Sequence, residues 1–251
     1  SGTGSETTAI AVISDTEKGV KLPFVSYFLM PNAAVLDSRM TLTLPPHITA
    51  MTGMDALTHA VEAFTCLAHN PISDAYANGA IKKIADNLLN VLDNPTDADG
   101  RLELAQASTM AGVAFSNAMV GLVHALGHSL GAVCHLPHGL CMNLFLPYAL
   151  EFNKDKNGDR IAELLLPLAG VDVYAATPVA QRADRAIAEI RRMRDEIFNR
   201  CKLPRTLQET GKVTREQLAQ IADLTLDDGA IIINPKEADR DEIMAILEKA
   251  W

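Results

Sequence analysis

Aromatic residues are scarce in this chain, at 5%, while alanine and leucine abound, a balance that favours helix over sheet. Positive charge is also short: 22 Lys and Arg stand against 31 Asp and Glu, for a net charge of −9. Such a chain has no electrostatic footprint for nucleic acid, and an anionic membrane would repel it. No basic cluster with interleaved aromatics overrides that reading. The four cysteines, Cys66, Cys134, Cys141 and Cys201, include no C-x-x-C pair, which argues against a disulfide scaffold and for a reducing, cytoplasmic setting. No apolar run approaches the roughly 18 residues of a transmembrane helix. The first residues, Ser1-Gly2-Thr3-Gly4-Ser5-Glu6, are polar and glycine-rich, unlike a signal peptide. They lack a Met and read as a loop cut from something longer, so a fragment is expected, with ordinary N-terminal processing as the alternative.

What is present is a large apolar fraction, 48%, enough to bury a substantial core. Residues 9–14 and 22–29 are β-prone and flank a charged turn at residues 15–19, which predicts a hairpin. A third short strand is expected at Ala33–Leu36, and Pro45-Pro46 ends the β-prone region. Helical spacing then predicts helices over Met54–Ala68, Ser73–Leu92 with Ser73 as N-cap, Arg101–Met119, Val123–Cys134 and Leu140–Phe152. More charged, amphipathic helices follow at Arg160–Leu168, Pro178–Cys201, Arg215–Leu224 and Glu237–Lys249. The expected layout is a small β-containing head, residues 1–45, before an all-helical domain, residues 46–251.

Three short motifs carry chemistry. Asp55 and His59 stand at i and i+4 in an otherwise apolar helix, so both project from one face, one turn apart. Ionisable groups so placed need a partner or a metal to offset desolvation; a mutually hydrogen-bonded or solvated pair is the alternative. His124 and His128 repeat the spacing within residues 104–134, which contain no Lys, Arg, Asp or Glu. Buried there without counter-charges, they are expected to stay neutral, which suits metal ligation; core histidines bonded to backbone carbonyls are the alternative. Pro137-His138-Gly139 adds a histidine at a helix entrance, where the proline sets the turn and the glycine permits close approach. Five of the seven histidines lie in or beside these motifs, a concentration that strengthens the metal reading. Imidazole with carboxylate suits Zn²⁺ or Fe²⁺ rather than Ca²⁺ or Mg²⁺. No H-E-x-x-H occurs, which weighs against zinc peptidase chemistry.

Taken together, residues 53–64 (GMDALTHAVEAF), residues 121–132 (GLVHALGHSLGA) and the following Pro137-His138-Gly139 resemble the two signatures of the iron-dependent (group III) alcohol dehydrogenases. The loop at Gly2–Glu6, the run Asn32–Asp37 as a strand leading into the helical domain, and Asn234-Pro235 before a last helix also fit, so the resemblance covers essentially the whole chain. It implies a mainly α fold: an all-helical, dehydroquinate synthase-like domain preceded by a short β-hairpin remnant of an α/β nucleotide-binding domain. It also implies one divalent metal, Fe²⁺ or Zn²⁺, held by Asp55, His59, His124 and His138. His128 would lie near the nicotinamide and substrate, and Thr3, Val12 and Lys21 would contact NAD or NADP. The family's glycine-rich phosphate-binding turn is absent from this sequence, so about 140 residues of a family member are expected to be missing, and the chain alone is expected to bind NAD(P) poorly.

The activity implied is reversible NAD(P)-linked oxidation of a small primary alcohol or diol to an aldehyde, with the metal as Lewis acid and His128 as proton relay or ring-positioning group. A homo-oligomer is expected, without nucleic acid or membrane partners. Three rivals stand beside this: a dehydroquinate synthase-like metal-dependent lyase, a catalytically silent truncated or interaction module, and a metal-free reductase on the same fold. The lyase would want more basic residues around a phosphate-bearing substrate than residues 104–134 offer.

Overall fold

A helix that is apolar on all sides must be buried on all sides, and α1 (Pro46–Thr65) is one: from Gly53 to Thr65 every residue is buried. The computed structural model describes residues 2–15 and 20–251, except the side chains of residues 12, 14, 15 and 20–23. Around α1 pack α2 (Pro71–Asp93), α3 (Ala98–Ala118) and α5 (His138–Glu163). α4 (Leu122–Cys134) lies against α5, and α6 (Leu165–Ala176) and α7 (Arg182–Cys201) close the far side. α8 (Leu218–Asp227) joins α4 to α9 (Arg240–Lys249). The core follows these contacts, with Met54, Leu57, Ile84, Leu88, Leu126, Leu144 and Phe145 fully enclosed.

The expected mainly α architecture, with a hairpin before it, is what the chain forms. β1 (Ile10–Asp15) and β2 (Val20–Val25) pair antiparallel, with Ile10 opposite Val25 and Ala11 opposite Phe24. The third strand expected at Ala33–Leu36 does not form; residues 33–37 run without regular structure. Extended propensity needs a neighbouring edge to bond to, and the described sheet has two strands only. β2 ends at Val25, short of the expected Leu29, because Tyr27–Leu29 turns into a 3₁₀ segment capped by the Ser26 hydroxyl.

Several helix boundaries also differ from the spacing-based expectation. α1 starts at Pro46 rather than Met54, with Pro46 at its first position, where its missing N–H costs nothing. Gly53 therefore sits inside the helix. The N-cap of α2 is Asn70, not Ser73: Asn70 Oδ1 accepts from Ile72 and Ser73, while the Ser73 hydroxyl accepts from the Asn70 N–H as the reciprocal half of a capping box. α5 continues past Phe152 to Glu163, bending at Asn157. Among the described residues no single helix is long and apolar enough to cross a membrane.

Candidate metal centre

α1 presents Asp55, His59 and Glu62 at i, i+4 and i+7, all buried and all on one side of the helix. α4 brings His124 to that face, and His138, the first residue of α5, closes the group from above. The approach of α5 depends on Gly139. A Cβ there would lie 2.5 Å from the Met51 carbonyl oxygen, so only a glycine lets this end of α5 touch the α1 backbone. The chain reverses from α4 into α5 through His135, in left-handed conformation at φ 53°, and Pro137.

One donor atom from each of Asp55, His59, His124 and His138 lies within 4.8 Å of the others. His138 Nε2 is 3.3 Å from Asp55 Oδ1, and His59 Nδ1 is 3.8 Å from Asp55 Oδ2. The His59 ring is stacked between Phe115, at 4.3 Å between centroids, and His124, at 4.7 Å. Both Asp55 oxygens, His59 Nδ1 and His124 Nε2 are buried and have no hydrogen-bond partner. Buried polar atoms in native proteins are almost always satisfied. A carboxylate and two imidazoles that leave buried atoms unpartnered, with the imidazole of His138 beside them, suit a Zn²⁺ or Fe²⁺ ion. The residues present fit such an ion.

The electrostatics agree. Burial drives the His59 imidazole down to about 3, and burial with the nearby His138 and His128 holds His124 well below its usual range, so both are neutral donors at neutral pH. Burial alone would raise Asp55, but the surrounding His59, His138 and His124 outweigh it and hold the carboxyl at about 2. The group thus combines an anionic oxygen of Asp55 with the neutral nitrogens of His59 and His124 in a buried interior. Only His138 is half-exposed, and it marks the open side.

His128 does not join the four. It stands one turn beyond His124 on α4, half-buried, its ring 5.4 Å from that of His138. Its Nδ1 lies 2.9 Å from Asp228 Oδ2, just after α8, and the bond from His128 lowers the Asp228 carboxyl despite burial. Thr3 is not in the cluster either; its loop is tied to α3, where the Thr7 hydroxyl donates to the Thr109 carbonyl and the Thr109 hydroxyl to Glu6. The side chains of Val12 and Lys21 lie outside the described residues.

One expectation is overturned. His124 and His128 do have carboxylate partners, delivered from elsewhere in the chain: Glu62 for His124 and Asp228 for His128. The charge-free stretch 104–134 hid this, since neither partner is local. Glu62 had a legible signal, its i+3 spacing from His59 on the α1 face. Asp228, a hundred residues from His128, had none.

Comparison with known proteins returns one family over nearly all of the chain. Residues 49–251 match the model of the Fe-containing alcohol dehydrogenase family, C-terminal, and residues 1–38 match that of iron-containing alcohol dehydrogenase. Over 99% of its length the chain is 34% identical to an NADPH-dependent butanol dehydrogenase of Clostridium saccharobutylicum, covering 62% of that protein. It is 36% identical to a 1,3-propanediol dehydrogenase of Klebsiella pneumoniae, covering 63%. Among solved structures, 1,3-propanediol oxidoreductase superposes with a TM-score of 0.93 at 34% identity, over 99% of this chain and 63% of the other. Alcohol dehydrogenase from Oenococcus oeni superposes at 0.92 and 32% identity, again over 99% and 63%. The chain thus spans less than two thirds of the length of these relatives.

Proposed function

The chain belongs to the iron-containing alcohol dehydrogenase family, and from that premise we propose that it carries the metal centre of an NAD(P)-linked dehydrogenase acting on small primary alcohols or diols and the corresponding aldehydes. Asp55, His59, His124 and His138 hold one divalent ion, Fe²⁺ or Zn²⁺. The single observation that carries this is that one donor atom from each of the four residues lies within 4.8 Å of the others, with Asp55, His59 and His124 each leaving a buried atom unpartnered. Bound there, the ion supplies Lewis acidity to a substrate oxygen. The remaining chemistry belongs to the protein. Asp55 contributes the one negative charge of the donor set, and the stacked Phe115 covers one face of the His59 ring. His138 borders the open side, where a substrate oxygen can enter.

His128 lies beside that opening. With Nδ1 engaged by Asp228, its exchangeable site is Nε2, which can take a proton from an alcohol or return it to the product of reduction. Residues 46–251 are read as the helical metal-binding domain, and residues 1–45 as part of a dinucleotide-binding domain in which Thr3, Val12 and Lys21 contact NAD(P). A homo-oligomer in the cytoplasm completes the reading.

The test is metal content after loading with Fe²⁺ or Zn²⁺ and gel filtration. One equivalent is expected for the wild type and much less than one for Asp55→Ala, His59→Ala and His138→Ala, each checked for retained helicity. Equal metal in all four would overturn the ligand assignment.

A further inference from the structure

Glu62 is buried, lies beside the four-residue cluster and is not one of its donors. Both of its oxygens are spent on α4. Oε1 accepts from the Val123 backbone N–H at 2.7 Å, and Oε2 faces His124 Nδ1 at 2.5 Å. α4 has no cap of its own, since its N-cap position is Gly121. The absence of a side chain there leaves room for the carboxylate, because a Cβ on Gly121 would stand 3.2 Å from Glu62 Oε1. Asn234 caps the neighbouring amide, Leu122, through Oδ1 and is itself held by a reciprocal amide pair with Asn153.

We infer that Glu62 is a positioning residue that clamps His124 in the Nδ1–H tautomer and so leaves its Nε2 lone pair facing the metal position. The inference rests on the metal-centre reading above. Its logic is one of donors and acceptors. In its ionised form, above about pH 7, Glu62 offers only acceptors to its two partners on α4, so the imidazole proton sits on Nδ1. Nε2, buried and without a partner, is then a bare lone pair within the four-residue cluster. The same carboxylate ties the first turn of α4 to the face of α1 that bears Asp55 and His59. A single side chain thereby sets both the tautomer of one ligand and the placement of its helix.

Glu62→Gln separates these roles. The amide keeps the shape but has one oxygen and one NH₂ for two partners. With the oxygen retained by the Val123 N–H, the NH₂ meets His124 Nδ1 as a donor and moves the ring proton to Nε2, where it blocks the metal. In ¹⁵N-histidine NMR of the metal-free chain, at a pH above 7 where Glu62 is ionised, we expect His124 as the Nδ1–H tautomer in the wild type and Nε2–H in Glu62→Gln. By chelator competition we expect Zn²⁺ to bind Glu62→Gln about 10- to 100-fold more weakly. Glu62→Asp, which restores an all-acceptor group on a shorter stem, should return the wild-type tautomer and part of the affinity. An unchanged tautomer with unchanged affinity in a folded Glu62→Gln chain would overturn the clamp. A tautomer that switches in a chain whose wild type binds no metal would uphold the clamp and sink the metal-centre reading instead.

Discussion

Removing the metal should destabilise the fold by an amount the structure allows us to bound. In the metal-free chain, Asp55 Oδ1 and Oδ2, His59 Nδ1 and His124 Nε2 are buried without partners. Each such atom costs about 1–3 kcal/mol, so the empty centre carries a strain on the order of 4–12 kcal/mol that a bound ion relieves. What a melting experiment reads is the linkage term. At a free metal concentration a thousand times Kd it reaches about 4 kcal/mol. For a domain of this size that corresponds to roughly 8–16 °C in Tm. The assay is thermal unfolding of chelator-treated protein with and without added Zn²⁺, run beside Asp55→Ala. That substitution removes two of the orphaned atoms and the only anionic donor, so its response should shrink to roughly a degree or two. If Asp55→Ala gains as much from Zn²⁺ as the wild type does, the ion binds elsewhere and the reasoning fails.

Three further outcomes are expected. Gly139→Ala places a methyl 2.5 Å from the Met51 carbonyl oxygen, against backbone that cannot rotate away; we expect about 1–3 kcal/mol of destabilisation and weaker Zn²⁺ binding as His138 moves, and wild-type Tm and affinity would contradict this. In the metal-free chain, His59 and His124 are held below the usual histidine range by burial, so the unfolded state binds the extra protons and stability falls as pH drops below 6.5. Glu62, raised by burial to about 7 from 4.5, acts in the opposite sense between those values, because there the folded state holds the proton. Two losses against one gain leave stability falling as pH drops from 6.5 to 4.5, and Tm values that stay flat or rise as the pH is lowered over that interval would refute it. Finally, Tyr27 and Phe28, 88% and 101% exposed beside Val25, form an apolar patch on the hairpin side. The chain should self-associate, and Tyr27→Ser with Phe28→Ser should reduce this in light scattering; a monodisperse unsubstituted monomer at high concentration would count against the patch.

How much of this was legible beforehand can be judged residue by residue. Helical periodicity located most of the helices, but the helix expected at Arg160–Leu168 straddles the junction of α5 and α6, and α6 runs on to Ala176 unforeseen; elsewhere the ends slipped where capping decided them. Asn70 outcompeted Ser73 because its side chain reaches two amides at once. Pro46 opened α1 two turns before Met54 because a proline is welcome at a first helical position. The strand expected at Ala33–Leu36 failed because strand propensity is a statement about a neighbouring edge, and sequence alone names no neighbour. Of the group around the metal position, Asp55, His59, His124 and His138 were each visible as motif residues. Phe115 and Asp228 acquired their roles only through packing, and Glu62, though legible as i+3 from His59, met its partner on α4 only there.

The amino-acid order by itself determined which side chains share a helix face, since i to i+4 spacing is a property of the backbone, and it determined the helical class through its apolar and alanine-rich composition. Tertiary structure alone decided that three separate faces meet, because convergence depends on contacts between distant segments: Gly139 against Met51, and Glu62 against the first turn of α4. It also decided protonation. A histidine's proton answers to the nearest acceptor in space, and for His124 that acceptor lies 62 residues back in the chain.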